Sequence, residues 1–132
     1  MSVEGAIERL VQIAGAVPGT KQAPVKPPET ASGFPFVVAY ERTGETLFEG
    51  AGFGHDLVTI YLEVHLSRVM LAAAIEKAAV YRDAVLAGIM ADPTLGGSVA
   101  ALRGLRRTFG ALGWGGVVTV GHRFEVDVKL LL

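Results

Sequence analysis

The chain has 132 residues, a formal net charge of −1 and no cysteine. This length fits one domain, and the absence of cysteine excludes disulfides, thiolate chemistry and cysteine-ligated zinc. The near-zero charge excludes a general basic field that would hold nucleic acid. Hydrophobic residues make up 51% of the chain and charged residues 19%, which indicates that some apolar surface is buried against partners.

The N-terminal segment is typical of a helix, not of a targeting signal. Glu4, Glu8 and Arg9 interrupt its apolar pattern, whereas a signal peptide carries an uninterrupted apolar run. Apolar residues recur at helical spacing over residues 3–14, and Ser2 is a suitable N-cap. No stretch reaches the ~20 apolar residues of a membrane span. We therefore expect a protein made in the cytoplasm, with no membrane partner.

A proline-rich connection and two strands are predicted next. Residues 16–32 contain four prolines, which favours an irregular loop. Residues 34–42 and 57–66 are predicted as antiparallel strands, and the second alternates apolar and polar side chains with period two. Its polar face supplies interface or channel-face candidates: Thr59, Tyr61, Glu63 and His65. The glycine-rich segment between the strands, after a break at residues 43–44, predicts a flexible contact loop that includes Glu45, Phe48, Gly50, Gly52, Phe53 and Gly54.

A long helix and a final strand dominate the second half. Residues 69–91 place one apolar stripe on a helix: Leu71, Ala74, Ile75, Ala78, Tyr81, Val85 and Ile89. Ser67 is a suitable cap for its start. Residues 99–109 fit neither a helix nor a strand well, and residues 117–131 alternate as a strand. These elements predict one α+β domain over residues 1–132, with a mainly antiparallel sheet and both helices on one face.

Charged residues on the last strand and on the ambiguous segment complete the candidate surface. Residues of opposite sign interleave on one face of the last strand, which suits a solvated or inter-subunit sheet face: Arg123, Glu125, Asp127 and Lys129. A basic cluster precedes them: Arg103, Arg106 and Arg107. Contact with nucleic acid is one interpretation of this cluster. A solvated face or a salt-bridged subunit contact is favoured, because aromatic residues are sparse around it.

No motif for catalysis, cofactor or metal stands out. The glycine run at residues 50–54 precedes a strand, whereas a phosphate loop precedes a helix and ends in Gly-Lys-Ser/Thr. Glu63 and His65 share a strand face, but two ligands are too few for a stable metal site; a solvated or interface pair is expected. His122 falls on an apolar strand face, which predicts a hydrogen-bonded core histidine. We therefore expect no enzyme activity, cofactor or metal.

Three stretches, in order, resemble the tail terminator, or tail completion, proteins of long-tailed bacteriophages. The first is residues 34–38 with Gly44, followed by Gly52-x-Gly54-His55 leading into the strand at residues 58–66. The second is residues 91–99, which close the long helix. The third is residues 112–116 followed by residues 121–128. The resemblance covers the chain from about Phe34 onward and includes none of the proline-rich loop.

The resemblance implies a structural protein of the virion that catalyses no reaction. Such proteins form a ring, generally hexameric, at the head-proximal end of the tail tube, where they end tube polymerisation and present a surface to a neck or head-completion protein. DNA passes through the channel without sequence-specific binding. The resemblance also implies that residues 99–112 form a strand, which gives the order α-β-β-α-β-β. A neck or head-completion connector subunit, or a module that binds a small ligand or peptide beneath residues 50–54, remain the alternatives.

Overall fold

A computed structural model describes all 132 residues. Two helices and four strands follow one another in the order α-β-β-α-β-β, which confirms the predicted α+β fold. A turn of 3-10 helix at Arg68–Met70 precedes the second helix. The elements are α1 (Val3–Gly15), β1 (Phe36–Gly50), β2 (Phe53–Leu66), α2 (Leu71–Ala91), β3 (Ala101–Trp114) and β4 (Val117–Leu131). Neither helix is long and apolar enough to cross a membrane.

The four strands form one antiparallel sheet in the order β1-β2-β4-β3. Each hairpin closes through a two-residue turn. Gly115 and Gly116 connect β3 to β4, with φ of 59° and 81°, a conformation that glycine adopts without steric cost and that matches the twist of paired strands. The segment that fitted helix and strand equally poorly is therefore a strand, because its pairing with β4 satisfies its backbone.

Both helices pack on one face of the sheet and enclose a single core. Ser2 caps α1 as predicted, since its hydroxyl accepts a hydrogen bond from Gly5 N at 3.0 Å. The apolar set predicted for β2 is buried: Val58, Ile60, Leu62, Val64 and Leu66. Tyr81 from α2 and Phe124 from β4 meet this set and are fully buried. Burial of one such large apolar side chain contributes about 2 kcal/mol.

The start of α2 differs from its predicted form. Ser67 caps the 3-10 turn, not α2 itself, by accepting from Val69 N at 3.3 Å. Ala74, Ala78, Tyr81, Val85 and Ile89 face the core as predicted. Two further residues of the predicted stripe, Leu71 and Ile75, are 52% and 50% exposed. The first turns of α2 therefore present apolar side chains to solvent.

The β1–β2 hairpin is longer and more regular than predicted. The break expected at residues 43–44 is wrong: Arg42 forms a bulge between paired residues Glu41 and Thr43, and β1 continues to Gly50. A bulge absorbs one extra residue without ending a strand. The predicted flexible loop is likewise mostly strand, since Glu45 pairs with Leu57. Phe48 with Gly54 and Gly50 with Phe53 are also paired. Gly52 alone of the candidate loop residues lies in the turn.

The proline-rich loop is irregular, as predicted, but it is attached to the sheet. Gln22 forms a parallel bridge with Phe36 at the start of β1, and its side-chain oxygen accepts from Ser32 N at 2.8 Å. The carbonyl oxygen of Pro28 accepts a hydrogen bond from the Trp114 indole at 2.8 Å. The loop therefore joins the β1 edge to the end of the β3–β4 hairpin.

Candidate functional site

The face of the sheet away from the helices, here called the outer face, carries most of the predicted candidates. Strand pairing places Thr59 beside Asp127, Tyr61 beside Glu125, and Glu63 beside Arg123, so the alternation predicted for both strands is confirmed. His65 and Lys129 continue the same alternation at the two ends. Tyr40 on β1 pairs with Tyr61, and Arg106 on β3 pairs with Glu125. The outer face therefore gathers side chains from all four strands.

A charge ladder runs across β2, β4 and β3. Thr59 donates to Asp127 Oδ1 at 2.6 Å, and Arg106 donates to Asp127 Oδ2 at 2.8 Å. Arg106 also lies 3.8 Å from Glu125. The hydrogen bond that Arg106 donates to Asp127 raises the pKa of Arg106. The opposite charges are therefore paired within one chain, and this ladder needs no second subunit for neutralisation.

The three neighbouring arginines do not form one cluster. Arg106 lies on the outer face, whereas Arg107 pairs with Phe124 and so points to the helix face. There it lines a hollow of about 270 Å³ with Arg82 and His122. Arg103 lies in a bulge of β3 and lines a polar hollow together with Arg106 and Asp127. The predicted basic cluster therefore holds for Arg103 and Arg106 and is wrong for Arg107, because alternate strand residues face opposite sides.

Glu63 and His65 are buried, so the expected solvated or interface pair is wrong. Their exposed fractions are 1% and 0%, and His65 Nε2 lies 2.8 Å from Glu63 Oε1. His65 Nδ1 lies 2.7 Å from the Thr119 hydroxyl, which is also buried. An ionised Glu63 carboxylate can only accept, so His65 Nε2 donates to it, and the Thr119 hydroxyl is the hydrogen-bond partner of Nδ1. Thr119, His65 and Glu63 thus form a continuous hydrogen-bonded chain.

The second carboxylate oxygen of Glu63 binds two further groups. Tyr40 OH and Arg123 Nε each donate to Glu63 Oε2 at 2.8 Å. The Arg123 guanidinium also lies over the Tyr61 ring, 4.8 Å from its centroid, as a cation–π contact. Glu63 therefore accepts three side-chain hydrogen bonds and links β1, β2 and β4.

An aromatic cover excludes water from this network. The Trp114 ring centroid lies 5.8 Å from those of Phe36 and Tyr40, and 6.0 Å from that of His65. The proline-rich loop holds Trp114 through the Pro28 carbonyl. Strand alternation could not reveal this cover, because Trp114 and Pro28 are distant in sequence from the side chains that they bury.

Burial and hydrogen bonding act in opposite directions on Glu63. Burial alone would raise the pKa of Glu63, but the hydrogen bonds from His65, Tyr40 and Arg123 outweigh it and hold the pKa below 4.5. Burial, together with the hydrogen bond to Glu63, raises the pKa of Tyr40 to about 12. At neutral pH the network therefore contains an ionised carboxylate and a neutral phenol.

The hydroxyl–imidazole–carboxylate chain contains the atoms of a proton relay, but it is closed to substrates. The Thr119 hydroxyl is buried with its partners, so no external carbonyl or phosphoryl group can approach within bonding distance in this structure. No group of three or more His, Asp or Glu side chains is arranged to hold a metal ion. The arrangement ties strands together beneath Trp114.

The prediction that His122 is a hydrogen-bonded core histidine is confirmed. Its Nε2 donates to the carbonyl oxygen of Ala78 at 2.9 Å, and the side chain is buried between α2 and β4. Burial, the larger effect, lowers the pKa of His122 despite that hydrogen bond, so the ring is neutral at pH 7. Its role is to connect α2 to the sheet.

Two exposed apolar surfaces lie at opposite ends of the β1–β2 hairpin. The first, called the tip patch, surrounds the end of the hairpin: Leu47, Phe53 and Leu131 lie on its outer face, and Phe48 and Leu132 lie on the opposite face. The second, called the shoulder patch, lies where β2 passes into α2 and consists of Val69, Met70, Leu71 and Ile75. Phe48 is 82% exposed and Val69 is 90% exposed. Only Phe48 and Phe53 of the tip patch belong to the contact loop predicted from the sequence, and the shoulder patch was not predicted.

No protein-family model matches the chain, and no curated protein matches it in sequence.

Proposed function

We propose that this chain is a tail terminator subunit of a long-tailed bacteriophage. Copies assemble into a ring, most simply a hexamer, at the head-proximal end of the tail tube. The ring ends polymerisation of the tube protein and presents a surface to a neck or head-completion protein. The subunit is made in the host cytoplasm, performs no catalysis and becomes part of the virion.

The observation that carries the proposal is the pair of apolar patches at opposite ends of one subunit. Clusters of exposed large apolar side chains on a small monomer commonly mark interaction surfaces, whereas isolated ones are normal. Patches that differ from each other, and that lie at different ends, suit heterologous contacts, which close into rings when the rotation between copies permits. The resemblance of residues 34–128 to terminator proteins supports a ring over an open filament.

The outer face suits the wall of a channel through which DNA passes. Two of its cations are paired within the chain: Arg106 with Asp127, and Arg123 with Glu63. A surface with little unpaired positive charge releases few counterions and so binds DNA weakly. Passage of DNA requires this property, and a strongly basic lining would oppose it.

A neck or head-completion connector is the competing virion role, since such a subunit also works as a ring. The small-ligand alternative has weaker support. The five principal hollows of the surface are lined by other parts of the chain, and none includes a residue of segment 50–54.

Chemical cross-linking of the protein bound to tail tubes tests the proposal. The tubes are those of the tube protein encoded in the same genome. We expect a ladder of cross-linked species that stops at the ring number, which for a hexamer is six. A ladder that continues without end would identify a tube subunit instead, and failure to bind tube ends would favour the connector role.

Charge reversal on the outer face should separate function from folding. We expect Glu125→Lys to change the free energy of unfolding by only about 0.5 kcal/mol, because this side chain leaves the core. It should nevertheless lower phage titre by making the channel face more basic. Phe124→Asp is the matched control, since it buries an unpaired charge and should unfold the protein.

Complementation of a terminator-null phage, beside a thermal melt, measures both effects. Full titres with normal tail lengths for a well-folded Glu125→Lys protein would show that the outer face is neither interface nor channel lining. Asp127→Lys is a poorer probe, because it also removes the acceptor of Thr59 and Arg106.

A further inference from the structure

We infer that successive copies of this chain contact one another head to tail, with the tip patch of one copy seated in the hollow of the shoulder patch of the next. The inference rests on the proposed ring and specifies which surfaces form it. The partner is a second copy of the chain, and the contact is heterologous.

The tip patch has the form of an inserting group. Phe48 and Phe53 flank the two-residue turn on opposite faces of the hairpin end and are 82% and 55% exposed. Paired strands hold them in position, since Phe48 pairs with Gly54 and Gly50 with Phe53. Exposed aromatic side chains on a rigid support lose little conformational entropy when they bind, and aromatic residues are common binding hot spots.

The shoulder patch has the form of a receiving site. A hollow of about 300 Å³ opens beside it, a volume at the lower end of the range for binding pockets. Its lining comes from the start of β1, the end of β2 and the beginning of α2. The lining is mostly apolar: Phe34, Pro35, Leu66, Val69, Met70, Ala73 and Ala74, with Ser67 and Lys77 at polar positions. A phenyl ring at this site would be surrounded by apolar atoms.

The charges around the two patches are complementary. Residues 45–57 contain three carboxylates and no Lys or Arg: Glu45, Glu49 and Asp56. The receiving side carries Lys77 on the wall of the hollow and Arg68 in the adjoining 3-10 turn. Opposite charges at the rim of a contact orient the partners and favour this pairing over tip-to-tip or shoulder-to-shoulder contacts.

The tip patch and the shoulder patch of one copy cannot contact each other. Twelve residues of β1 separate Phe36, beside the shoulder, from Phe48 at the tip. At ~3.3 Å per residue, this strand spans roughly 40 Å. The two surfaces therefore meet only between copies. An open chain of copies has one free tip at one end and one free hollow at the other, until the ring closes.

Disulfide trapping provides the test, because the chain has no cysteine of its own. Ala51→Cys, which keeps both phenylalanines of the tip, and Met70→Cys proteins are distinguished by isotope label and mixed under mild oxidation. A disulfide forms only where the two Cα atoms approach within about 7 Å. Met90→Cys is the matched control for the receiving side, since Met90 is 82% exposed at the far end of α2.

We expect the Ala51→Cys/Met70→Cys pair to accumulate at least tenfold faster than the Ala51→Cys/Met90→Cys pair or either homodimer. Adding Glu45→Lys to the first protein should slow trapping, and Lys77→Glu in the second should restore it. Equal rates for the Met70 and Met90 partners would overturn the inference. A tube-bound ring without this trapping would retain the proposed function and refute the contact, whereas trapping that yields only open chains would retain the contact and refute the ring.

Discussion

Replacement of Glu63 with alanine should reduce the free energy of unfolding by about 3 kcal/mol, because it leaves buried hydrogen-bonding groups without an acceptor. His65 is wholly buried and loses its Nε2 partner, while Tyr40 and Arg123 lose theirs. Arg123 lies nearer the surface and can regain water, which keeps the expected loss at the low end for a buried pair. The corresponding fall in Tm is about 10 °C for a domain of this size.

Urea or thermal unfolding measures this loss, and Glu125→Ala is the matched control. Glu125 is the neighbouring carboxylate of the outer face, and its side chain remains partly exposed, so its removal should change stability by about 0.5 kcal/mol or less. Similar small effects for the two variants would contradict the account of a closed network.

The pH dependence of stability should identify the ionised form of Glu63 as the stabilising one. The folded pKa of Glu63 lies below its ordinary value of 4.5. The carboxylate therefore stabilises the fold fully above about pH 4.5, and this stabilisation is lost as the pH falls through the folded pKa. We expect the Tm of Glu63→Gln to fall less steeply than that of the parent chain below pH 4.5. Parallel curves of Tm against pH for the two proteins would show that protonation of Glu63 is not coupled to folding.

Gly121→Ala should destabilise the protein by about 3 kcal/mol or more, through overlap with the backbone and not through loss of a contact. A Cβ at Gly121 would overlap the carbonyl oxygen of Val64 on β2. Neither strand can move freely, since β4 is paired with β2 on one side and β3 on the other. Overpacking at such a position typically costs one to a few kcal/mol.

Gly110→Ala is a closely matched control for this substitution. Gly110 lies directly opposite Gly121 in the β3–β4 pair, but a Cβ there would meet no atom within 4 Å. We expect its free energy of unfolding to stay within about 1 kcal/mol of the parent value. Equal losses for the two variants, measured by urea unfolding, would indicate a general intolerance of side chains in this hairpin and contradict the specific overlap.

The fold class and the faces of the strands were predictable because period-two alternation is a local property of the chain. Ile60 and Leu62 face the core and Thr59 and Tyr61 face outward, as the pattern of β2 indicates. The outermost part of β1 was not predictable. It is exposed and glycine-containing, so its regular pairing with β2 comes from the hairpin and not from an apolar pattern.

The sequence predicted which face of the sheet carries Glu63 and His65, but it did not predict that the two side chains are buried. Glu63 and His65 lie on the predicted face, yet Trp114 and the loop that binds it through Pro28 cover them. This cover depends on tertiary packing between segments some 50 residues apart. The shoulder patch was not predicted because helical spacing placed Leu71 and Ile75 on the core stripe, whereas both side chains are about half exposed.

Imaging of tail tubes assembled with and without this protein tests the central claim most directly. Tube protein from the same genome is polymerised in vitro, the labelled chain is added during growth, and tubes are examined by negative-stain electron microscopy. We expect label as a closed ring at one end of each tube, and tubes that stop lengthening once it has bound. Label distributed along the tube wall, or continued growth from labelled ends, would contradict the assignment of this chain as a tail terminator.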